Sequence, residues 1–147
     1  MIVGILLACL TLTFSPEVIR TGEPVSRLFV CVEVGRTAER LGVEVPLAIA
    51  LSWEESRFDR NARSSKGAIG PLQVIPRFVC PGGVAARCDL VGSGIALLGL
   101  LTDRFPALAA VAHYNAGRAP PPKSFQWAKI VLSTRDRLRR FFKIATS

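Results

Sequence analysis

The segment Leu47-Ala48-Ile49-Ala50-Leu51-Ser52-Trp53-Glu54-Glu55-Ser56-Arg57-Phe58 constrains the fold of this chain more than any other. It follows Pro46, a residue suited to a helix first turn, and it predicts a helix running to about Phe58. Apolar residues occupy almost every side, so the helix belongs inside a domain and not on its surface. Two carboxylates near its end are then unusual, because acids are rarely carried into a core. Leu47, Leu51 and Glu55 fall four apart, on one stripe. A carboxyl on such a stripe loses hydration, its pKa rises, and it becomes suited to general-acid chemistry near neutral pH. Periodicity leaves Glu54 and Glu55 tied, since Glu54 lies close to the Leu47, Ala50 and Phe58 side. A plain helix end with two solvated acids is the structural alternative.

The rest of the chain also reads as helix. Val25 to Leu41 forms a first helix, with apolar residues at 28, 29, 32 and 41, and Gly42 breaks it. Ser15 to Pro24 carries two prolines and a glycine and reads as a linker. Asp59 to Ile69 holds Asn61, Ser64, Ser65 and Gly67, which is loop chemistry. Pro71 to Val79 reads as a short helix, and Pro81 to Asp89 as loop. Leu90 to Phe105 is helical by the recurrence of Ile95, Leu98, Leu101 and Phe105, and Pro106 stops it. Pro106 to Tyr114 is another helix, closed by Asn115-Ala116-Gly117. Pro120-Pro121-Pro122 is a stiff spacer. Phe125 to Ile144 is a final amphipathic helix, with Trp127, Ile130, Val131, Leu138, Phe141 and Phe142 on its apolar side. No repeat is present and no long alternating run demands a sheet. The fold class is therefore mainly α. The 147 residues suit one domain. They divide into an apolar segment and linker (1–24), a central domain (25–122) and a basic helix packing on it (123–147).

The formal charge is +8. A field of that sign favours anionic cell-wall polymers, nucleic acid or acidic lipid, and composition does not choose among them. In the last helix Lys123, Lys129, Arg135, Arg137, Arg139, Arg140 and Lys143 face one acid, Asp136. A solvated face is the favoured reading there, and attraction to an anionic envelope or phospholipid is the alternative. Ile2 to Phe14 is apolar except for Thr11 and Thr13. That is too short for an ordinary membrane-spanning helix and the size of a signal-peptide core, although no Lys or Arg precedes it and cleavage signals are poor. An export or membrane-targeting segment is favoured over a buried terminal helix. Cys80 and Cys88 flank a turn-rich stretch and can form a disulfide in an oxidising compartment, the alternative being two free thiols. A zinc site is disfavoured, since His113 is the single histidine and no second close cysteine pair exists.

Two further segments carry possible chemistry. Asn61-Ala62-Arg63-Ser64-Ser65-Lys66-Gly67-Ala68-Ile69-Gly70-Pro71-Leu72-Gln73 has glycines that permit close approach, and Gln73 can read an acetamido group or a sugar hydroxyl. Ala109 to Gly117 is a small-residue helix ending in Tyr114 and Asn115, from which Tyr114 can aim its hydroxyl at a distant carboxyl. Alone, each also reads as an ordinary turn or helix end.

Together these segments resemble a known family. Glu55-Ser56-Arg57-Phe58 is similar to its Glu-Ser-x-Phe signature. Gly67-Ala68-Ile69-Gly70-Pro71-Leu72-Gln73, after Asn61-Ala62-Arg63-Ser64, is similar to Gly-Ala-x-Gly-Leu-Met-Gln. Ala112-His113-Tyr114-Asn115-Ala116-Gly117 is similar to Ala-Tyr-Asn-Ala-Gly. The Gly94-Ile95 helix ending at Phe105 resembles the family's linking helix. The family is the soluble-lytic-transglycosylase (SLT) type of lysozyme-like domain, related to goose-type lysozyme, and the resemblance covers roughly residues 37 to 118. Pro71-Leu72 replaces the usual Leu-Met, and His113 stands where Ala is common.

The resemblance implies a lysozyme-like domain of about five to seven helices around a glycan-binding cleft. It implies cleavage of the β-1,4 bond between N-acetylmuramic acid and N-acetylglucosamine, leaving a 1,6-anhydro product. It assigns the acid and base role to Glu55, breaking the tie, and a catalytic orienting role to Tyr114 by a hydrogen bond to Glu55. It places Ser64 and Gln73 on the sugar, with Ser56 and Asn115 as supports in the substrate-binding group. It requires no cofactor and no metal. Peptidoglycan strands are the implied partner, with a secretion, conjugation or phage-entry machine as a further one. The implied location is the bacterial periplasm or cell envelope, or a phage virion. Hydrolysis of the same bond and a non-catalytic glycan-binding assembly factor are the competing functions. A cationic nucleic-acid- or membrane-binding module leaves the three motifs without an account.

Overall fold

The computed structural model describes residues 1–146, with side chains to residue 144. Ser147, the last residue of the expected basic segment, lies outside the described residues. Among the described residues eight α-helices follow one another, with a 3-10 turn at Pro81–Gly83 after the fifth: α1 (Ile2–Thr13), α2 (Pro16–Thr21), α3 (Pro24–Leu41), α4 (Val45–Ser56), α5 (Pro76–Val79), α6 (Leu90–Arg104), α7 (Ala107–Ala116) and α8 (Pro122–Thr146). No β-strand occurs among the described residues; two isolated antiparallel bridges, Arg63 to Ile69 and Ile69 to Val74, are the nearest approach to one. The mainly α class is as the sequence predicts. The count exceeds the expected range because α2 replaces the expected linker.

Helix α4 lies at the centre. Every residue from Val45 to Trp53 is buried, as an all-round apolar helix requires. It packs between α3 and α8, while α1 packs on α3 and α8, and α6 on α3 and α7. The helix ends at Ser56, two residues before the expected end. Arg57 and Phe58 both take left-handed backbone, with φ of 55° and 60°. That conformation is unfavourable for such side chains, and tertiary contacts must hold it. Phe58 is fully buried and packs on Trp53 with ring centroids 5.6 Å apart.

The amino-terminal segment is built into this core. Gly4, Ile5, Ala8, Cys9 and Thr13 of α1 are buried, and Cys9 is disulfide-bonded to Cys31 of α3. Gly35 of α3 admits Ile5, since a Cβ there would stand 2.9 Å from the isoleucine side chain. The chain between α1 and α3 is not a plain linker, because Val18 of α2 is also buried.

Three sequence expectations need correction in register. On α3 the buried face is Val30, Cys31, Val34, Gly35, Thr37 and Ala38, whereas Phe29 is 68% exposed and Leu41 45%. The interior face is chosen by small residues that let α1 approach, a signal that hydropathy underweights. On α8 the buried stripe is Ser124, Ala128, Val131, Thr134 and Leu138, and Ile130 is exposed. Residues 71 to 75 are turn and bridge instead of helix, and only Pro76–Val79 coils.

Candidate active site

Glu54 and Glu55 separate once their partners are known. The Glu54 carboxylate is occupied twice: Arg57 Nη1 lies 3.1 Å from Oε2, and the Thr134 hydroxyl donates to Oε1 at 3.1 Å. Arg57 in turn stacks on Trp53 at 4.5 Å, donates to the Trp53 carbonyl at 2.7 Å and pairs with Glu17 of α2 at 3.0 Å. Arg27 of α3 donates to the Arg57 carbonyl at 2.8 Å. Glu54 therefore belongs to the lattice that fixes the left-handed turn after α4.

Glu55 is partly buried, and among the described residues no hydrogen bond or ion pair serves its carboxyl. Burial alone pushes its pKa up from 4.5 to about 8, because low polarity disfavours the charged form. It is protonated at neutral pH, and a protonated carboxyl open to a reactant can donate a proton and later accept one.

The loop facing α4 is held by hydroxyls. Ser52 and Ser56, one turn apart on α4, both donate to the Pro71 carbonyl, at 3.0 Å and 2.7 Å. The next carbonyl, that of Leu72, accepts from the Tyr114 hydroxyl at 2.7 Å. Gly94 of α6 makes room for this junction. A Cβ there would stand 2.8 Å from the Leu72 side chain and 3.1 Å from the Tyr114 hydroxyl. Thus α4, the loop, α6 and α7 meet within two peptide units of one another.

Tyr114 makes a different hydrogen bond from the one the resemblance implies. Its hydroxyl is donated to Leu72, so it does not donate to Glu55. The two groups nevertheless interact electrostatically: burial first, and then the charge of Glu55, push the phenol well above its usual range. Gln73 also differs from its expected use. It sits at φ 48°, and its amide NH2 donates to the carbonyls of Ala62 and Gly70 at 3.2 Å and 3.0 Å. Those donors brace the loop. The Ser64 hydroxyl oxygen accepts from the backbone N–H groups of Lys66 and Ala68 at 3.3 Å and 3.0 Å, leaving its own proton to donate outward from an exposed turn. Asn115 lies away from this group and accepts from Ser124 at 2.7 Å, joining α7 to the start of α8. Cys80 and Cys88 form a disulfide that closes the loop before α6.

Sequence reasoning missed Ser52, Gly94 as a spacer, and the Arg57 network. Ser52 stands four residues before Ser56, so helical spacing could have paired them. The Arg57 network joins residues far apart in the chain, and no local pattern signals it. Glu55 lines neither of two surface concavities beside α8, one of about 610 Å³ against Leu108, Lys129 and Arg137 and one of about 60 Å³ against Thr11, Leu12 and Arg140.

The transglycosylase SLT domain family matches residues 34–81. This match over about a third of the chain supports an SLT-type, lysozyme-like family. The match runs from within α3 through α4 and the hydroxyl-held loop to α5, so it includes Glu55, Ser56, Ser64 and Gln73. Tyr114 and α6 to α8 lie beyond it, and they join the SLT segment by packing. No curated protein matches the chain. The SLT family is of glycan-degrading, lytic-transglycosylase type, acting on peptidoglycan. No group of three or more His, Cys, Asp or Glu residues that could hold a metal occurs among the described residues.

Proposed function

We propose that this protein is a peptidoglycan lytic transglycosylase in which Glu55 serves first as acid and then as base. The observation that carries the reading is the unpartnered, desolvated Glu55 carboxyl, electrostatically coupled to Tyr114, within a segment matching the SLT family. Protonated Glu55 donates to the oxygen between N-acetylmuramic acid and N-acetylglucosamine as the C1–O bond breaks. The substrate acetamido group stabilises the positive charge developing at C1. The Glu55 carboxylate then takes the proton of the muramoyl C6 hydroxyl, whose oxygen bonds to C1 and closes the 1,6-anhydro ring. Intramolecular attack supplies the nucleophile at high effective concentration.

Single-acid chemistry is favoured over a two-carboxylate hydrolysis because the neighbouring acids are engaged elsewhere. Glu54 is held by Arg57 and Thr134, and Asp59 accepts from the Asn61 backbone at 2.9 Å. Ser52, Ser56 and Tyr114 position the loop that borders Glu55, and Ser64 offers its hydroxyl to the glycan. Two disulfides suit an oxidising compartment, so the cell envelope is the proposed place of action. Mass spectrometry of muropeptides released from purified sacculi tests the reading. The wild-type protein should release anhydro ends and Glu55→Gln none. Reducing ends would instead assign a hydrolase, and full release by Glu55→Gln would end the catalytic assignment.

A further inference from the structure

Helix α1 presents two faces that ask for different neighbours. One is in the core, fastened to α3 by the Cys9–Cys31 disulfide and packed on α8, where Phe142 lies against Gly4. The other is apolar and uncovered. Val3, Leu6, Leu10 and Phe14 recur at helical spacing and are 53%, 41%, 44% and 44% exposed. A monomeric soluble surface rarely keeps a continuous apolar stripe of this kind.

Cations stand on the α8 side of this helix, next to Thr11. Thr11, next round the helix from Leu10, lines a small concavity of about 60 Å³ together with Leu12, Phe141, Arg137 and Arg140 of α8. The Arg137 guanidinium donates to Thr134 and the Arg140 guanidinium lies 4.7 Å over Phe141. Neither has an acid partner among the described residues, whereas Arg135 and Arg139 of the same helix are paired with Glu44 and Asp136.

We propose that α1 and the adjoining edge of α8 form a docking surface for an anionic lipid bilayer, on which the folded domain lies. The disulfide and the buried face prevent α1 from leaving the domain to stand across a membrane. Its 12 residues reach about 18 Å, against a hydrocarbon core of about 30 Å. No helix among the described residues is long and apolar enough to cross a membrane. A helix so held can only lie along the interface, with its apolar stripe among the acyl chains and the flanking arginines at the phosphates. An anionic wall polymer would match the charge but offers nothing to the stripe.

The test is flotation of the full-length, oxidised protein with vesicles of phosphatidylcholine alone or with 30 mole per cent phosphatidylglycerol. The wild-type protein should float with the anionic vesicles and weakly with the neutral ones. The double variant Leu6→Glu/Leu10→Glu should remain at the bottom with an unchanged circular dichroism spectrum and unchanged muropeptide release. Arg140→Gln should bind anionic vesicles about fivefold more weakly. Equal flotation of the double variant and the wild type would overturn the proposal, as would wild-type protein that floats with neither vesicle. Stripe-dependent dimers in sedimentation without flotation would assign the face to a second copy. Intact mass of protein from the producing cell showing that α1 has been removed would likewise overturn it.

Discussion

Glu55 and Glu54 are adjacent, yet their surroundings give them opposite properties, and this yields separable predictions. Because burial raises the Glu55 pKa to about 8, its acid form predominates below that pH. Initial rates of muropeptide release should therefore decline as pH rises through about 8, and rate against pH is the check. Stability follows the same group. Between pH 4.5 and about 8 the folded protein keeps a proton that the unfolded chain gives up, so unfolding free energy falls as pH rises through this window. Glu55→Gln should remove that slope and be more stable than wild type at pH 9, by a few kcal/mol (~1.4 per pKa unit), measurable by urea denaturation. Glu54→Gln should do the reverse. It weakens the contacts with Arg57 and Thr134, costing roughly 1–3 kcal/mol, while leaving at least part of the muropeptide release that Glu55→Gln loses.

At the scale of elements, the junction of α4, α6, α7 and the loop depends on close approach. Gly94→Ala places a methyl 2.8 Å from the Leu72 side chain and 3.1 Å from the Tyr114 hydroxyl. The variant should be destabilised by about 1–3 kcal/mol and should lose muropeptide release, with a midpoint shift in thermal unfolding as the check. These elements were differently legible. Helix α4 was visible because its apolar residues and Pro46 act locally. Helix α6 was visible too, and its N-cap is a local device in which Asp89 accepts from Gly92 at 2.9 Å. The inner face of α3 was not visible, because Cys31 and Gly35 are chosen by the fit to α1. The loop carbonyls that Gln73 and Tyr114 hold were not legible either, since hydrogen-bond partners depend on where carbonyls of other segments come to rest.

The whole molecule is tied by two disulfides of different reach. Cys9–Cys31 encloses a sequence separation of 22 and joins α1 to α3, whereas Cys80–Cys88 spans 8 within one loop. The loop-closure view assigns about 3.4 kcal/mol to the first and about 2.5 to the second. Paired Ser variants should lower the denaturation midpoint more for Cys9/Cys31 than for Cys80/Cys88, and loss of the first should also release α1 to proteolysis. What the residues determined alone was local: helix propensity, turn chemistry, two acids at the end of an apolar helix, and three motifs in order. The tertiary structure decided which acid stays unpartnered, which carbonyls the hydroxyls hold, and that the amino-terminal helix belongs to the core. The physical reason is range. Periodicity and capping act over a few residues, whereas desolvation, disulfide pairing and hydrogen-bond satisfaction depend on groups that folding brings together from distant parts of the chain.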